Sequence, residues 1–207
     1  MDAADWDARY AGADLVWSAG PNVWVRELCS SLTPGTALDV AAGEGRNALW
    51  LVEQGWTAVA ADFSPVAVAR MGDIADRRLG ERRDRFTAVV ADATRAAPRP
   101  SGGGAYDLVL VVYLHLPPTE WRAALAAAVS ATAVGGAVLV VAHAARNLTE
   151  GVGGPQDPGI LLDPDDVVAS AAGLPVEVEL AELRRRAVEG SERPALDTVV
   201  VLRRVSW

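Results

Sequence analysis

Short apolar runs recur along the chain, separated by segments whose apolar residues repeat at helical spacing. The runs are Ala37 to Val40, Thr57 to Asp62, Phe86 to Val90, Asp107 to Val112, Ala137 to Ala142, Val176 to Leu180 and Thr198 to Leu202. Their length and their valine and alanine content suit strands buried on both faces. Between them Pro65 to Leu79, Thr119 to Ala131 and Pro164 to Ala172 read as helices. Ser64 and Asp163 each precede a proline, which places a capping side chain before a residue pre-set for the first helical turn. Asp165 and Asp166 put negative charge at the positive end of the helix dipole, and Gly173 supplies a stop. Strand–helix alternation predicts a parallel sheet covered on both faces. The pattern changes at the end. Segments 176–186 and 196–204 are both strand-like, and the polar connection Val188 to Pro194 is too short for a helix. The expectation is a doubly wound α/β fold of seven mostly parallel strands, closed on one edge by a C-terminal antiparallel hairpin. It is read as a single domain, with 1–33 as an N-terminal cap segment and 37–207 as the core.

The chemistry concentrates at the end of the first run. Leu38 to Ala48 reads LDVAAGEGRNA: strand, tight turn, helix start. Small residues let backbone approach a ligand, and a helix start offers unpaired N–H groups. The second run ends at Asp62, where an acidic side chain can accept both hydroxyls of a ribose. A nucleoside-containing ligand across two strand ends follows. The place of the third glycine of a dinucleotide fingerprint holds Ala48 or a bulkier neighbour, which argues against NAD. All 19 basic residues counted as Lys+Arg are arginine. Without lysine, P-loop, Schiff-base and Ser-Lys chemistries are excluded.

Composition narrows the setting. A chain of 207 residues with 51% hydrophobic content can fill one α/β core, and no apolar stretch reaches the length that spans a bilayer. The formal charge of −8 disfavours nucleic acid. Arg77, Arg78, Arg82, Arg83 and Arg85 are interleaved with Asp76, Glu81 and Asp84, as on a solvated helix end. The start of the chain lacks a basic and apolar leader, and the one cysteine, Cys29, cannot form an intramolecular disulfide. A cytoplasmic protein is expected, monomeric or homodimeric, acting on a small molecule rather than on nucleic acid or membrane, with no metal site.

Seven strands, a terminal antiparallel pair and a glycine turn after the first strand resemble the class I S-adenosylmethionine-dependent methyltransferases over nearly the whole chain. The resemblance implies a Rossmann-like methyltransferase fold with S-adenosyl-L-methionine as cofactor. It assigns cofactor contacts to Asp39 and to the turn Ala41, Gly43 and Gly45, with alanine where the family has its first glycine. Asp62 takes the ribose, Phe63 flanks the adenine, Asp92 and Ala93 read it, and Val112 closes strand four beside the methionine portion. Asn47 caps the helix or touches the amino-acid moiety. The opening WDARY (Trp6 to Tyr10), Trp17, Pro21-Asn22 and the run GEGRNA look like the tellurite-resistance and thiopurine methyltransferase-like branch. In it, N-terminal aromatics, Trp17 among them, fold over the cofactor. That branch would carry a His-Arg pair on strand six, where this chain has Arg184, Arg185 and Arg186.

His115 and His143 are the only imidazoles and follow strands four and five, so either is a candidate proton acceptor. The stretch from Asn147 to Gly159 reads as a long loop without periodicity, a candidate substrate cover. Arg184 to Arg186 read as an edge-strand charge run, and Trp24, Trp50, Trp56 and Trp121 as packing residues. The expected activity is methyl transfer to an O, S, N or chalcogen-oxyanion acceptor. The rivals are a cofactor-binding regulator without turnover and a nucleotide-linked oxidoreductase.

Overall fold

The computed structural model describes residues 20–100 and 102–206. Asn22 caps helix α1 (Val23–Cys29), its side-chain oxygen accepting from the Trp24 and Val25 N–H groups. Strand β1 (Thr36–Val40), helix α2 (Arg46–Glu53), β2 (Thr57–Asp62), α3 (Pro65–Arg78) and β3 (Phe86–Val90) follow, with a 3₁₀ turn over Gly80–Arg85. Then come β4 (Tyr106–Val112), α4 (Pro118–Ala131), β5 (Thr132–His143), α5 (Asn147–Glu150), α6 (Pro164–Ser170), β6 (Val176–Arg186) and β7 (Ala195–Arg204). The seven strands form one sheet in the order β3-β2-β1-β4-β5-β7-β6. All neighbours are parallel except β5–β7 and β7–β6, so the expected hairpin is present, with β7 inserted beside β5 and β6 at the edge.

The continuous apolar runs are explained by burial on both faces. Along β4, Leu108, Leu110 and Val112 pack into one layer with α1, α2 and α3. Val109 and Val111 face the other layer with Trp121, Leu125 and Val167 from α4 and α6. β5 and β7 divide in the same way, with Leu139 and Val199 on one side, Val140 and Val200 on the other. Trp50, Trp56 and Trp121 are core residues, as their surroundings in sequence suggest. No helix among the described residues is long and apolar enough to cross a membrane.

Two stretches differ from the sequence expectation. β5 starts at Thr132 rather than Ala137, directly after α4. Gly135 and Gly136 look like a break but form a bulge: Tyr106 pairs with Thr132 and Leu108 with Ala137, so β5 carries extra residues. The 147–159 stretch holds α5 and a 3₁₀ turn over Pro158–Ile160. Buried Asn147 organises it, accepting from the Leu196 N–H at 2.7 Å and donating to the Gly153 carbonyl at 2.8 Å. At the predicted helix starts, Ser64 accepts from the Ala67 N–H, and Asp166 reaches back to the Asp163 N–H at 2.9 Å.

Two glycine substitutions test this framework in opposite directions. A Cβ on Gly136 would lie 2.9 Å from the Asp107 carbonyl oxygen and 3.0 Å from that of Ala133, whereas one on Gly72, within α3, would meet nothing within 4 Å. Gly136→Ala should cost about 1–3 kcal/mol by overpacking against backbone. Gly72→Ala should stabilise by about 0.5–1 kcal/mol through helix propensity. Urea denaturation of the two variants beside the parent measures both, and equal effects would show that the bulge is misplaced.

Candidate active site

The sheet order reverses between β1 and β4, which opens a crevice at the C-terminal ends of the parallel strands. The turn after β1 forms its floor. Ala41, Gly43 and Gly45 all adopt left-handed backbone, with φ of 53°, 59° and 78°. In Ala41 that conformation costs about 1–2 kcal/mol, which is why glycine is the natural occupant. The turn folds back so that the Gly43 N–H donates to Asp62 Oδ2 at 2.8 Å, while Asp62 Oδ1 accepts from the Ser64 N–H at 3.0 Å. Asp62, predicted at the sugar, therefore joins the end of β2 to the glycine turn. Gly45 serves packing: a Cβ there would approach the Met71 Cβ of α3 to 3.2 Å.

Below the turn, Asp39 accepts from the Ala48 N–H of α2 at 3.2 Å and is fully enclosed. Burial pushes its carboxyl up to about 7, against the pull of the Ala48 N–H and the Arg46 guanidinium. Asn47 is buried and accepts from the Asn22 N–H at 2.9 Å, tying α2 to the start of α1. The other expected contacts ring the crevice. Small residues, Ala41, Ala61, Ala91 and Ala93 among them, line a narrow recess of about 10 Å³ with Asp92 at its wall. Asp92 is itself a turn residue, accepting from the Thr94 N–H and hydroxyl at 2.8 and 2.7 Å. Phe63 is 36% exposed at the end of β2, an open aromatic face, and Val112 is buried at the end of β4. Trp17, with Trp6 and Tyr10, lies outside the described residues.

The second half of the crevice gathers His143 and His115 around Asp197, a residue that the sequence did not single out. Asp197, near the start of β7, has no solvent exposure. Its Oδ2 accepts from Trp24 Nε1 at 2.8 Å, the Tyr113 hydroxyl at 3.0 Å and Arg186 Nε at 2.7 Å. Its Oδ1 lies 3.3 Å from His143 Nδ1, and neither of those two buried atoms has another hydrogen-bond partner among the described residues. Burial alone would raise this carboxyl, but the donors His143, Arg186 and Trp24 hold it down at about 2. Tyr113 is left-handed with φ of 57°, an outlier for a bulky residue. Its ring stacks on His143 at 4.6 Å. His115 accepts the His143 backbone N–H on Nε2 at 3.3 Å, and burial pushes its imidazole down to about 4. The arginine triplet is thus more than an edge charge run. Arg186 pairs with Asp197, and Arg184 lies over Trp24 at 5.2 Å and bonds Glu27 at 3.0 Å, while Arg185 faces solvent. Trp24, read as packing alone, also donates to Asp197. The available signal was Asp197 itself, a charge within an apolar strand. Among the described residues no group of three or more His, Cys, Asp or Glu could hold a metal ion.

A family model described as a methyltransferase domain matches residues 37–136, from β1 into β5. No curated relative matches the chain. Among solved structures, a protein of echinomycin biosynthesis, tied to conversion of a disulfide bond into a thioacetal group, aligns with TM-score 0.74 and 23% identity, over 97% of this chain and 91% of that one. The glycopeptide N-methyltransferase MtfA with bound S-adenosyl-L-methionine aligns with TM-score 0.67 and 20% identity, over 87% and 92%. TehB from Haemophilus influenzae aligns with TM-score 0.66 and 17% identity, over 89% of this chain and 62% of that one. These likenesses share the fold. The domain match adds a resemblance to methyltransferases over just under half of the chain, the stretch that includes the glycine turn and Asp62.

Asp39 gives this floor a pH signature. A carboxyl raised to about 7 keeps in the folded state a proton that the unfolded chain has released, so its contribution is complete below the unfolded value and is lost as pH rises towards 7. His115, lowered to about 4, acts with the opposite sign, because the folded state sheds its proton first. The informative quantity is therefore the difference between Asp39→Asn and the parent. The variant should gain melting temperature relative to the parent as pH rises from about 4 to 7. A difference independent of pH would show that Asp39 is ionised in the fold.

Proposed function

We propose that the crevice binds S-adenosyl-L-methionine across the ends of β1 and β2 and presents it to a small-molecule acceptor bound on the β4–β5 side. The observation that carries this reading is the Asp62 carboxylate joined to the Gly43 N–H at 2.8 Å. It sets an acidic group on the glycine turn, where a carboxylate at a strand end can accept from sugar hydroxyls. The residues fit the cofactor. Asp92 and Ala93 offer polar atoms at the wall of the alanine-lined recess, and Phe63 supplies an exposed aromatic face on which a flat ring can stack. Asp39 and Asn47 act from beneath, by holding the start of α2 and its N–H groups in place. Val112 and Ala41 border the space between the turn and β4.

When bound, the cofactor supplies a methyl group already activated on a sulfonium. The protein's task is then alignment and exclusion of water. His143 and His115 line the acceptor side. The acceptor is a small molecule, since a formal charge of −8, with Arg78, Arg83 and Arg203 paired to carboxylates, disfavours nucleic acid. Placement near the tellurite-resistance branch rests on the opening motif and the GEGRNA run, and Arg184 to Arg186 depart from that branch.

Calorimetric titration with S-adenosylmethionine and S-adenosylhomocysteine tests the reading. The parent should bind both, and Asp62→Asn should weaken binding about 10–100-fold, as loss of charge-assisted hydrogen bonds does. The asparagine keeps one acceptor for the Gly43 or Ser64 N–H, and a melting curve verifies the fold. Equal affinity in parent and variant, or binding of NAD instead, would remove the proposal.

A further inference from the structure

We infer that His143 is the proton acceptor for methyl transfer to a hydroxyl group, and that Asp197 is the residue that positions it. This rests on the methyl-transfer reading above and adds the class of acceptor. The dyad is set by backbone: His143 and Asp197 are register partners in the antiparallel β5–β7 ladder. Three donors occupy Asp197 Oδ2, so the remaining oxygen faces His143 Nδ1. A proton on Nδ1 satisfies both buried atoms and leaves the lone pair on Nε2. The ring is fixed on its faces as well. Tyr113 stacks at 4.6 Å, and Gly154 lies so close that a Cβ there would sit 2.7–3.0 Å from Cδ2, Cγ and Nε2. The side chain still keeps 11% of its surface open, while Nδ1 is sealed.

His115 does not share the role. Its Nε2 lone pair is occupied by the His143 backbone N–H, so taking a proton there would break a bond that supports the dyad. A histidine kept only for packing would need neither a buried carboxylate with three other donors nor a left-handed tyrosine beside it, since such strain is tolerated mainly at working sites.

The dyad selects the acceptor. A thiol ionises near neutrality and an oxyanion has no proton to lose. An amine attacks through its lone pair and sheds its proton to water afterwards. A hydroxyl attacks well only as its proton leaves. In the step, the hydroxyl oxygen forms a bond to the methyl carbon as the carbon–sulfur bond breaks, its electron pair staying on sulfur. The hydroxyl proton passes to His143 Nε2. Asp197 stays ionised and stabilises the imidazolium, which returns the proton to solvent. The charged and titratable groups facing His143 are Asp197 of β7, Arg186 of β6, and Tyr113 and His115 after β4, with Arg46 of α2 near Tyr113 and Arg186.

The test uses the full chain. Calorimetry first establishes S-adenosylhomocysteine binding, and its absence would sink the cofactor reading alone. With that ligand bound, nitrogen-15 NMR of the two imidazoles reads the tautomers without any turnover. His143 should carry its proton on Nδ1 in the parent and lose that preference in Asp197→Asn. Finding the proton on Nε2, or no change in the variant, overturns the dyad. Transfer is then measured to phenol, thiophenol, aniline and short alcohols. O-methyl products are expected, with His143→Gln lowering kcat about 10²–10⁴-fold while cofactor binding is kept. Asp197→Asn should lower kcat and move the acid limb of the pH–rate profile to lower pH, since imidazolium loses its counter-charge. Cofactor bound without any O-methyl product, or undiminished kcat in His143→Gln, overturns the assignment.

Discussion

The wet end of the sheet depends on one carboxylate. Asp197 lies among apolar strand residues with no contact with water, and an unpaired charge there would be strongly destabilising. It is tolerated because α1, β4, β5 and β6 each send a donor to it: Trp24, Tyr113, His143 and Arg186. The dependence is mutual. The indole of Trp24 fixes the first helix over the crevice, and the Tyr113 hydroxyl bond helps to hold a backbone that the residue would otherwise leave. Arg186 brings the end of the edge strand inward. Removing the charge would release four elements at once, so its cost would exceed that of any single bond.

The antiparallel insertion of β7 is what makes this possible. In a purely parallel sheet the residues at the ligand end are strand ends and loops. Running β7 backwards places its first residues, still inside the hydrogen-bonded ladder, beside the last residues of β5. Side chains there inherit the rigidity of the sheet. The same logic explains the arginines of β6, whose Arg184 and Arg186 alternate inward at the far end of an otherwise exposed edge.

This also explains what could be read from sequence. The strands of the parallel half were legible because each is a continuous apolar run, and the glycine turn because Gly43 and Gly45 interrupt such a run at a spacing that the Asp62 carboxylate completes. The extended β5 was not, since its bulge at Gly135 and Gly136 resembles a loop in one dimension. Asp197 was missed, and Arg186 was read only as part of a charge run, because their meaning lies in pairing across strands, which local periodicity does not encode. Trp24 was legible as a core residue, but its indole N–H has a partner 173 positions away in the chain. His143 was visible by position alone; the chemistry around it comes from residues distant in sequence.

The two halves of the crevice therefore differ in how they are built. On the β1–β2 side, backbone N–H groups and small side chains define the surface, and the one strained residue, Ala41, is a compromise in a turn that prefers glycine. Such a surface tolerates sequence drift, because shape is carried by the chain path. On the β4–β5–β7 side, shape and charge are carried by side chains that contact one another, so a change at any of Tyr113, His143, Arg186 or Asp197 alters the remainder. Under the proposed function, selectivity between acceptors would come from this second side. The coupling of four elements through one buried carboxylate would then place it in the part of the fold least free to vary independently.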